Sequence, residues 1–342
     1  MNHYDLIVIG SGPAGRRAAV QAAKFGKRVL VVERGRRVGG VSVHTGTIPS
    51  KTLRETALNL SGWRERGFYG RSYRVKQDIT ADDLSARLRM TLDHEVEVLE
   101  HQFARNQVTT LKGLARFTSP HEIDVVKETG ETVYYGADRF LICVGTVPFR
   151  PDYVPFDGET VLDSDEILNL KTLPKSLAVI GAGVIGIEYA TIFSALDVPV
   201  TLIEPRETML DFVDRELVAD FTHQLRDRGV QLRFGAKVES IRRLAAGRCE
   251  ITLEGGRLVK AASVLFAAGR LGATSSLNPE AAGLTVDHRG RLKVDPMTFR
   301  TEVPHIYAAG DVIGFPSLAS ASMEQGRIAA CCAFNEKAHK PP

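Results

Sequence analysis

The sequence predicts an α/β fold of two Rossmann-like units, the second inserted in the first. Three observations carry this. Residues 6–34, LIVIGSGPAGRRAAVQAAKFGKRVLVVER, and 177–206, LAVIGAGVIGIEYATIFSALDVPVTLIEPR, repeat one plan of apolar strand, G-x-G-x-x-G, helix, second apolar strand and acid. Each repeat is followed at a distance by another strand that ends in glycine, Arg139–Gly145 and Ala262–Gly269. Between them, a connector carrying Pro148, Pro151 and Pro155 leads to a helix-like stretch, Ser164–Leu170.

The first strand starts almost at once (Tyr4–Ile9), with no basic stretch or cleavage site ahead of it. Gly10, Gly12 and Gly15 precede Glu33, and Gly181, Gly183 and Gly186 precede Glu204; each acid lies 23 positions after the first glycine. One such glycine motif is weak evidence, but two in strand–turn–helix–strand context with matched acids are strong. Residues Thr80–Arg105 have helical periodicity (Leu84, Leu88, Leu92, Val96, Leu99) and read as an excursion of the first domain. The long apolar run Leu177–Phe193 holds three glycines and Glu188, so it reads as a strand and then a helix, not a membrane span. Further on come a hairpin turn at Asp287–Gly290, a strand at Ile306–Ala309 and a last helix from Ser317 to Asn335. The expected domains are residues 1–150, 151–272 and 273–342, the third completing the first.

Composition narrows the function. At 342 residues the chain has room for two or three domains. Its net charge, 44 − 41 = +3, is spread without a basic stripe, so nucleic acid is not an expected partner. The four cysteines, Cys143, Cys249, Cys331 and Cys332, have no metal-ligand spacing and are too few for a secreted scaffold; the expectation is no metal and a reducing cytoplasm. The modest glycine excess, 31 residues, falls where apolar strands end.

There it has a chemical use. Glycine lets the backbone approach a pyrophosphate, and the following helix N-terminus supplies N–H donors and partial positive charge. Two such turns imply two dinucleotides, with Glu33 and Glu204 accepting from the adenosine ribose hydroxyls. Glu204 favours a free 2′-hydroxyl, whereas Arg206 could pair with a 2′-phosphate. Two readings stay open here: a site that takes both NAD and NADP, or a strict NAD site with Arg206 merely solvated.

The segment Gly39-Gly40-Val41-Ser42-Val43-His44-Thr45-Gly46-Thr47-Ile48-Pro49-Ser50-Lys51 resembles the active-site helix of the two-dinucleotide-fold flavoprotein disulfide reductases. That family carries a redox disulfide here, but Ser42 and Thr47 stand at its two cysteine positions, and neither can shuttle electrons. With threonine at the flavin side, the segment is similar to that of the soluble pyridine nucleotide transhydrogenases. So are Gly113–Phe117, Asp163–Leu168, Gly181–Ala190, Ala309–Ser320 and Met323–Ala330, so the resemblance runs along nearly the whole chain.

The resemblance implies that the first domain and residues 273–342 bind FAD and that the middle domain binds NAD(P). On the FAD side it points to Gly10, Gly12, Pro13, Ala14, Gly15, Glu33 and Arg34. It adds Gly39, Gly40, Ser42, Ala115, Gly145, Gly310 and Asp311, the last as a ribitol ligand. On the NAD(P) side it points to Gly181, Gly183, Val184, Ile185, Gly186, Glu204, Arg206, Gly269 and Arg270. Lys51, expected in the first turn of a helix begun by Pro49, would pair with Glu188 near the flavin, and Thr47 would lie beside it.

The implied activity is a Si-specific, FAD-dependent NAD(P)+ transhydrogenase that moves hydride from NADPH to NAD+ without a redox disulfide. Two alternatives remain: an FAD-dependent diaphorase or oxidase, and a non-catalytic nucleotide-binding fragment. The fragment reading arises because the chain stops at Ala338–Pro342, before the dimerisation domain of that homo-oligomeric family. His44 has no partner legible in sequence.

Overall fold

The computed structural model describes residues 2–244 and 247–336. Two compact units emerge. The first comprises the chain through Thr47, Leu92–Val147 and the chain from Leu271; the second comprises Ile48–Thr91 and Pro148–Arg270. The end of the chain, Ala338–Pro342, lies outside the described residues.

In the first unit five strands run parallel, in the order Thr109–Lys112, Val29–Glu33, Asn2–Ile9, Thr132–Ile142, Ile306–Ala308. Leu6–Ile9 and Val29–Val32 are buried without alternation, as strands covered on both faces must be. The start of the long strand Thr132–Ile142 also pairs antiparallel with Glu122–Val126, which pairs with Leu114–Ser119. Helix Pro13–Lys24 crosses helix Ala319–Ala333 so closely that a methyl at Gly326 would sit 2.1 Å from the Ala14 carbonyl oxygen. Backbone meets backbone at that crossing.

The second unit repeats the plan with Gln231–Arg233, Val200–Ile203, Leu177–Ile180, Ser263–Phe266 and Val161–Asp163, all parallel. It too carries an antiparallel three-stranded meander: Val238–Leu244, Arg248–Leu253 and Leu258–Ala261. The repetition extends to a cross-strand ion pair: Arg116 faces buried Asp124 at 2.6 Å in one meander, and Arg242 faces buried Glu250 at 2.5 Å in the other. In both pairs the arginine comes eight residues before its acid.

The structure departs from the sequence reading in several places. Residues 48–91 pack with the second unit, because Leu53, Ala57 and Leu84 join the core built around Tyr189, Phe193 and Leu265. Helix Ala81–Arg105 therefore crosses the boundary and is not an excursion of the first unit alone; a reciprocal Thr80–Asp83 capping box starts it. The stretch Ser164–Leu170 holds only a short 3-10 turn, Ile167–Asn169, since the Asp163 carboxylate takes the amide N–H of Asp165 and Glu166 in a tight loop. The inserted segment runs from Pro148 to Arg270. The last helix is Ala319–Ala333, and the turn at Asp287–Gly290 is closed by a bridge between Val286 and Leu292.

Candidate functional site

The two glycine turns are built alike. Gly10 and Gly181 both adopt φ +103, and a methyl on either would strike a carbonyl oxygen, that of Cys143 at 2.3 Å or that of Ala267 at 2.6 Å. A methyl at Gly15 would lie 1.9 Å from the Gly10 oxygen, and one at Gly186 1.9 Å from the Gly181 oxygen, so the helix can pack on the turn in each unit only with glycine there. Gly12 and Gly183 are the N-caps, and neither helix has a side-chain cap. With Pro13 or Val184 at N1, the first-turn N–H groups have no side-chain cap; a methyl at Gly183 would meet nothing within 4 Å, and one at Gly12 only the Gly40 Cα at 4.0 Å. The space and the donors fit a pyrophosphate. Ala14 is buried under the first turn, while Val184 is exposed and Ile185 half-buried beside the second.

Each acid is fastened to its own turn. Glu33 accepts the N–H of Ser11 at 2.9 Å and of Gly35 at 2.7 Å; Glu204 accepts the N–H of Ala182 at 2.7 Å and of Arg206 at 3.2 Å. The remaining donors differ. The buried Ser11 hydroxyl also donates to Glu33 and accepts the Gly39 N–H at 2.9 Å. At Glu204 it is Arg206 that closes in, with Nε 2.8 Å from Oε1. Burial pushes the Glu204 carboxyl up, but the donors of Arg206 and Ala182 outweigh it and hold the group below the usual carboxylate range. Arg206 is therefore not a merely solvated residue, since it also reaches Asp211 at 2.8 Å. Arg34 is exposed.

Gly39 and Gly40 start a short helix, Gly40–His44, that buries Ser42. A methyl at Gly40 would be 2.7 Å from the Gly12 Cα, so this loop lies directly on the first glycine turn. The next helix, Thr47–Leu60, begins at Thr47 and not at Pro49, which places Lys51 beyond the first turn. Lys51 Nζ meets Glu188 Oε1 at 2.7 Å, Lys51 being well exposed and Glu188 mostly covered. The expected pair forms. His44 bonds the Val38 carbonyl at 2.9 Å, a structural contact.

The other expected residues are placed as follows. Gly310 presses on Ala14 and takes the Gln325 side-chain oxygen on its N–H, which sets Asp311 beside the first turn. Ala115 is buried in strand Leu114–Ser119, and Gly145 accepts the Ala273 N–H. In the second unit Gly269 accepts the Phe149 N–H, and Arg270 binds Asp165 at 2.7 Å, a clamp on the loop after Val161–Asp163. Sequence reading assigned no role to Ser11, Asp165 or Asp211; Ser11 was visible as the variable residue of the motif and Asp165 within the resembling segment Asp163–Leu168, whereas Asp211 carried no signal. A cavity of about 310 Å³ opens beside Glu33, lined in part by Gly35, Arg36, Arg37, Phe103 and Lys112. All four thiols are unpaired, and burial raises each of them, which disfavours thiolate chemistry.

The pyridine nucleotide-disulphide oxidoreductase family matches residues 4–326. The soluble pyridine nucleotide transhydrogenase of Mycobacterium tuberculosis (strain ATCC 25177 / H37Ra) is 52% identical over 337 residues, 98% of this chain and 72% of that protein. The protein of the same name from Colwellia psychrerythraea is 41% identical over 327 residues, 96% of this chain and 70% of that one. Among solved structures, LpdA of Mycobacterium tuberculosis has a TM-score of 0.90 at 28% identity, covering 100% of this chain and 74% of its own. The Cu(II) complex of the HOCl-induced flavoprotein disulfide reductase RclA from Escherichia coli has a TM-score of 0.85 at 29% identity, over 97% of this chain and 71% of its own.

Proposed function

The chain belongs to the pyridine nucleotide-disulphide oxidoreductase family, and from that premise we propose that it is an FAD-dependent soluble transhydrogenase of the Si-specific type, moving hydride between NADPH and NAD+. The observation that carries the reading is the duplicated turn, with its acid fastened to the glycine loop in both units, beside a segment whose disulfide positions are Ser42 and Thr47. The relatives named soluble pyridine nucleotide transhydrogenase point the same way.

The first unit fits a flavin dinucleotide: open N–H donors at Pro13–Lys24, the Glu33 carboxylate for a ribose, Asp311 for a polyol hydroxyl and the cavity beside Glu33 for the adenosine end. The second fits a pyridine nucleotide, with Gly181–Gly186 under the pyrophosphate and Glu204 at the ribose. FAD, when bound, supplies the reversible two-electron hydride chemistry. The chain itself binds, orients and sets charge. Glu188 anchors the Lys51 ammonium at a fixed point, where it steadies negative charge that develops nearby. Arg270, clamped by Asp165, stiffens the second site's rim. Among the described residues no helix is long and apolar enough to cross a membrane, and the four unpaired thiols support a cytoplasmic location.

The test is optical. Purified protein is expected to be yellow, to bleach with NADPH under anaerobic conditions and to regain its colour with NAD+. A colourless protein that FAD cannot reconstitute overturns the reading.

A further inference from the structure

Glu204 directly follows strand Val200–Ile203 with its carboxylate buried, and Arg206 folds back over it. Nε lies 2.8 Å from Glu204 Oε1 and Nη2 3.4 Å from Oε2, while Nη1 lies 2.8 Å from Asp211 Oδ2. Two carboxylates thus grip one guanidinium from different sides. Because that group is a flat, rigid fork of five N–H donors, two partners fix both its position and its plane. Arg206 and Asp211 are 46% and 59% exposed, so the clamp stands in reach of solvent, next to the acid that would hold the ribose.

We infer that Asp211 is a specificity-determining positioning residue of the second nucleotide site: it engages Arg206 Nη1, withholds that arginine from a ribose 2′-phosphate and biases the site toward the 2′-hydroxyl cofactor. The inference rests on the reading of the second unit as the pyridine nucleotide site. A 2′-phosphate carries close to two negative charges and gains most from two parallel N–H donors on one guanidinium edge. Asp211 occupies one donor of the Nη1/Nη2 edge and adds a repelling charge beside it. A 2′-hydroxyl has no need of that edge, since it donates to Glu204. Removing the Asp211 charge leaves the Glu204–Arg206 contact in place, weakens the hold on Nη1 to that of a neutral acceptor and takes away the repulsion that a phosphate meets at that edge. A site that must accept both cofactors in turn is served by an arginine held in check, because a free one would bind NADP(H) too tightly to exchange.

Two probes that carry only the adenosine end test this without any chemistry: 2′,5′-ADP and 5′-AMP, titrated by calorimetry into the 342-residue chain. Wild type, Asp211→Asn, Arg206→Ala and the double variant are compared. The expected result is that Asp211→Asn shifts the ratio of the two dissociation constants about five- to tenfold toward 2′,5′-ADP, and that the shift falls below about twofold when Arg206 is already Ala. An unchanged ratio, a shift toward 5′-AMP, or an equal gain without Arg206 overturns the inference while the nucleotide site stands. Wild-type protein that binds neither probe, nor NAD+ nor NADP+, overturns the site assignment and the inference with it.

Discussion

In the first unit Glu33 is covered by Ser11, and in the second Glu204 is covered by Arg206. Both acids take the N–H one residue past the first glycine and another two residues past themselves. Beyond that the units diverge. Ser11 ties its acid inward to the Gly39 backbone, whereas Ala182 has no hydroxyl to offer and Arg206 ties its acid outward to Asp211. Seven positions after the first glycine the first unit has Arg17 and the second Glu188, the partner of Lys51. Both acids thus keep two backbone donors and differ in the third partner, the buried Ser11 hydroxyl in the first unit and the half-exposed Arg206 guanidinium in the second. On the proposed reading, the buried arrangement serves the flavin that is kept and the exposed one the nucleotide that exchanges.

The likeness is tested most severely at the glycines. Gly15→Ala and Gly186→Ala each force a methyl against a carbonyl oxygen and are expected to cost about 3 kcal/mol each, with loss of nucleotide binding in the unit concerned. Urea titration, with hydrogen exchange to locate the damage, checks this; a full-strength Gly186→Ala beside a crippled Gly15→Ala would break the equivalence.

The second-unit feature without a counterpart comes next. Lys51→Ala leaves Glu188 unpaired and is expected to slow hydride transfer from NADPH about 10- to 100-fold, read by stopped-flow absorbance, while FAD content stays at the wild-type level. Unchanged transfer would reduce the pair to a surface contact. Smaller still is Ser11→Ala, which takes a donor from Glu33 and an acceptor from the buried Gly39 N–H. It is expected to cost about 1–2 kcal/mol, seen as faster FAD loss on dilution; Ala182→Ser should produce no matching gain in the second unit.

The smallest effect concerns pH. Glu204 is held below its ordinary value, so it adds stability that is present above an unfolded carboxyl value of about 4.3 and is lost as pH falls through the lower folded value. Glu204→Gln should flatten that part of the acid dependence of the urea midpoint. An identical acid profile for the variant would show that Arg206 and Ala182 do not hold the charge.

Much of the fold was legible because strand, turn and acid are local. At Gly10 a methyl would meet the Cys143 oxygen, and such constraints leave a glycine signature in any sequence that folds this way. The Lys51–Glu188 pair became visible through resemblance, since nothing local links residues 137 positions apart. The meanders escaped notice: Leu114–Ser119 alternates buried and exposed as an edge strand should, but six residues are too few to separate from a loop. The resemblance and Pro49 pointed to a helix here, Thr47–Leu60, without saying that its Leu53 and Ala57 pack with the second unit.

The sequence by itself showed two glycine turns with matched acids and, through resemblance, Ser42 and Thr47 at the family's disulfide positions, because each is a pattern of residues close along the chain. Tertiary structure alone decided which unit residues 48–91 join, that Arg206 is gripped by Asp211, and that Ser11 links Glu33 to Gly39. These depend on how loops fold back and which side chains they bring within about 3 Å, and periodicity and composition carry no record of such meetings.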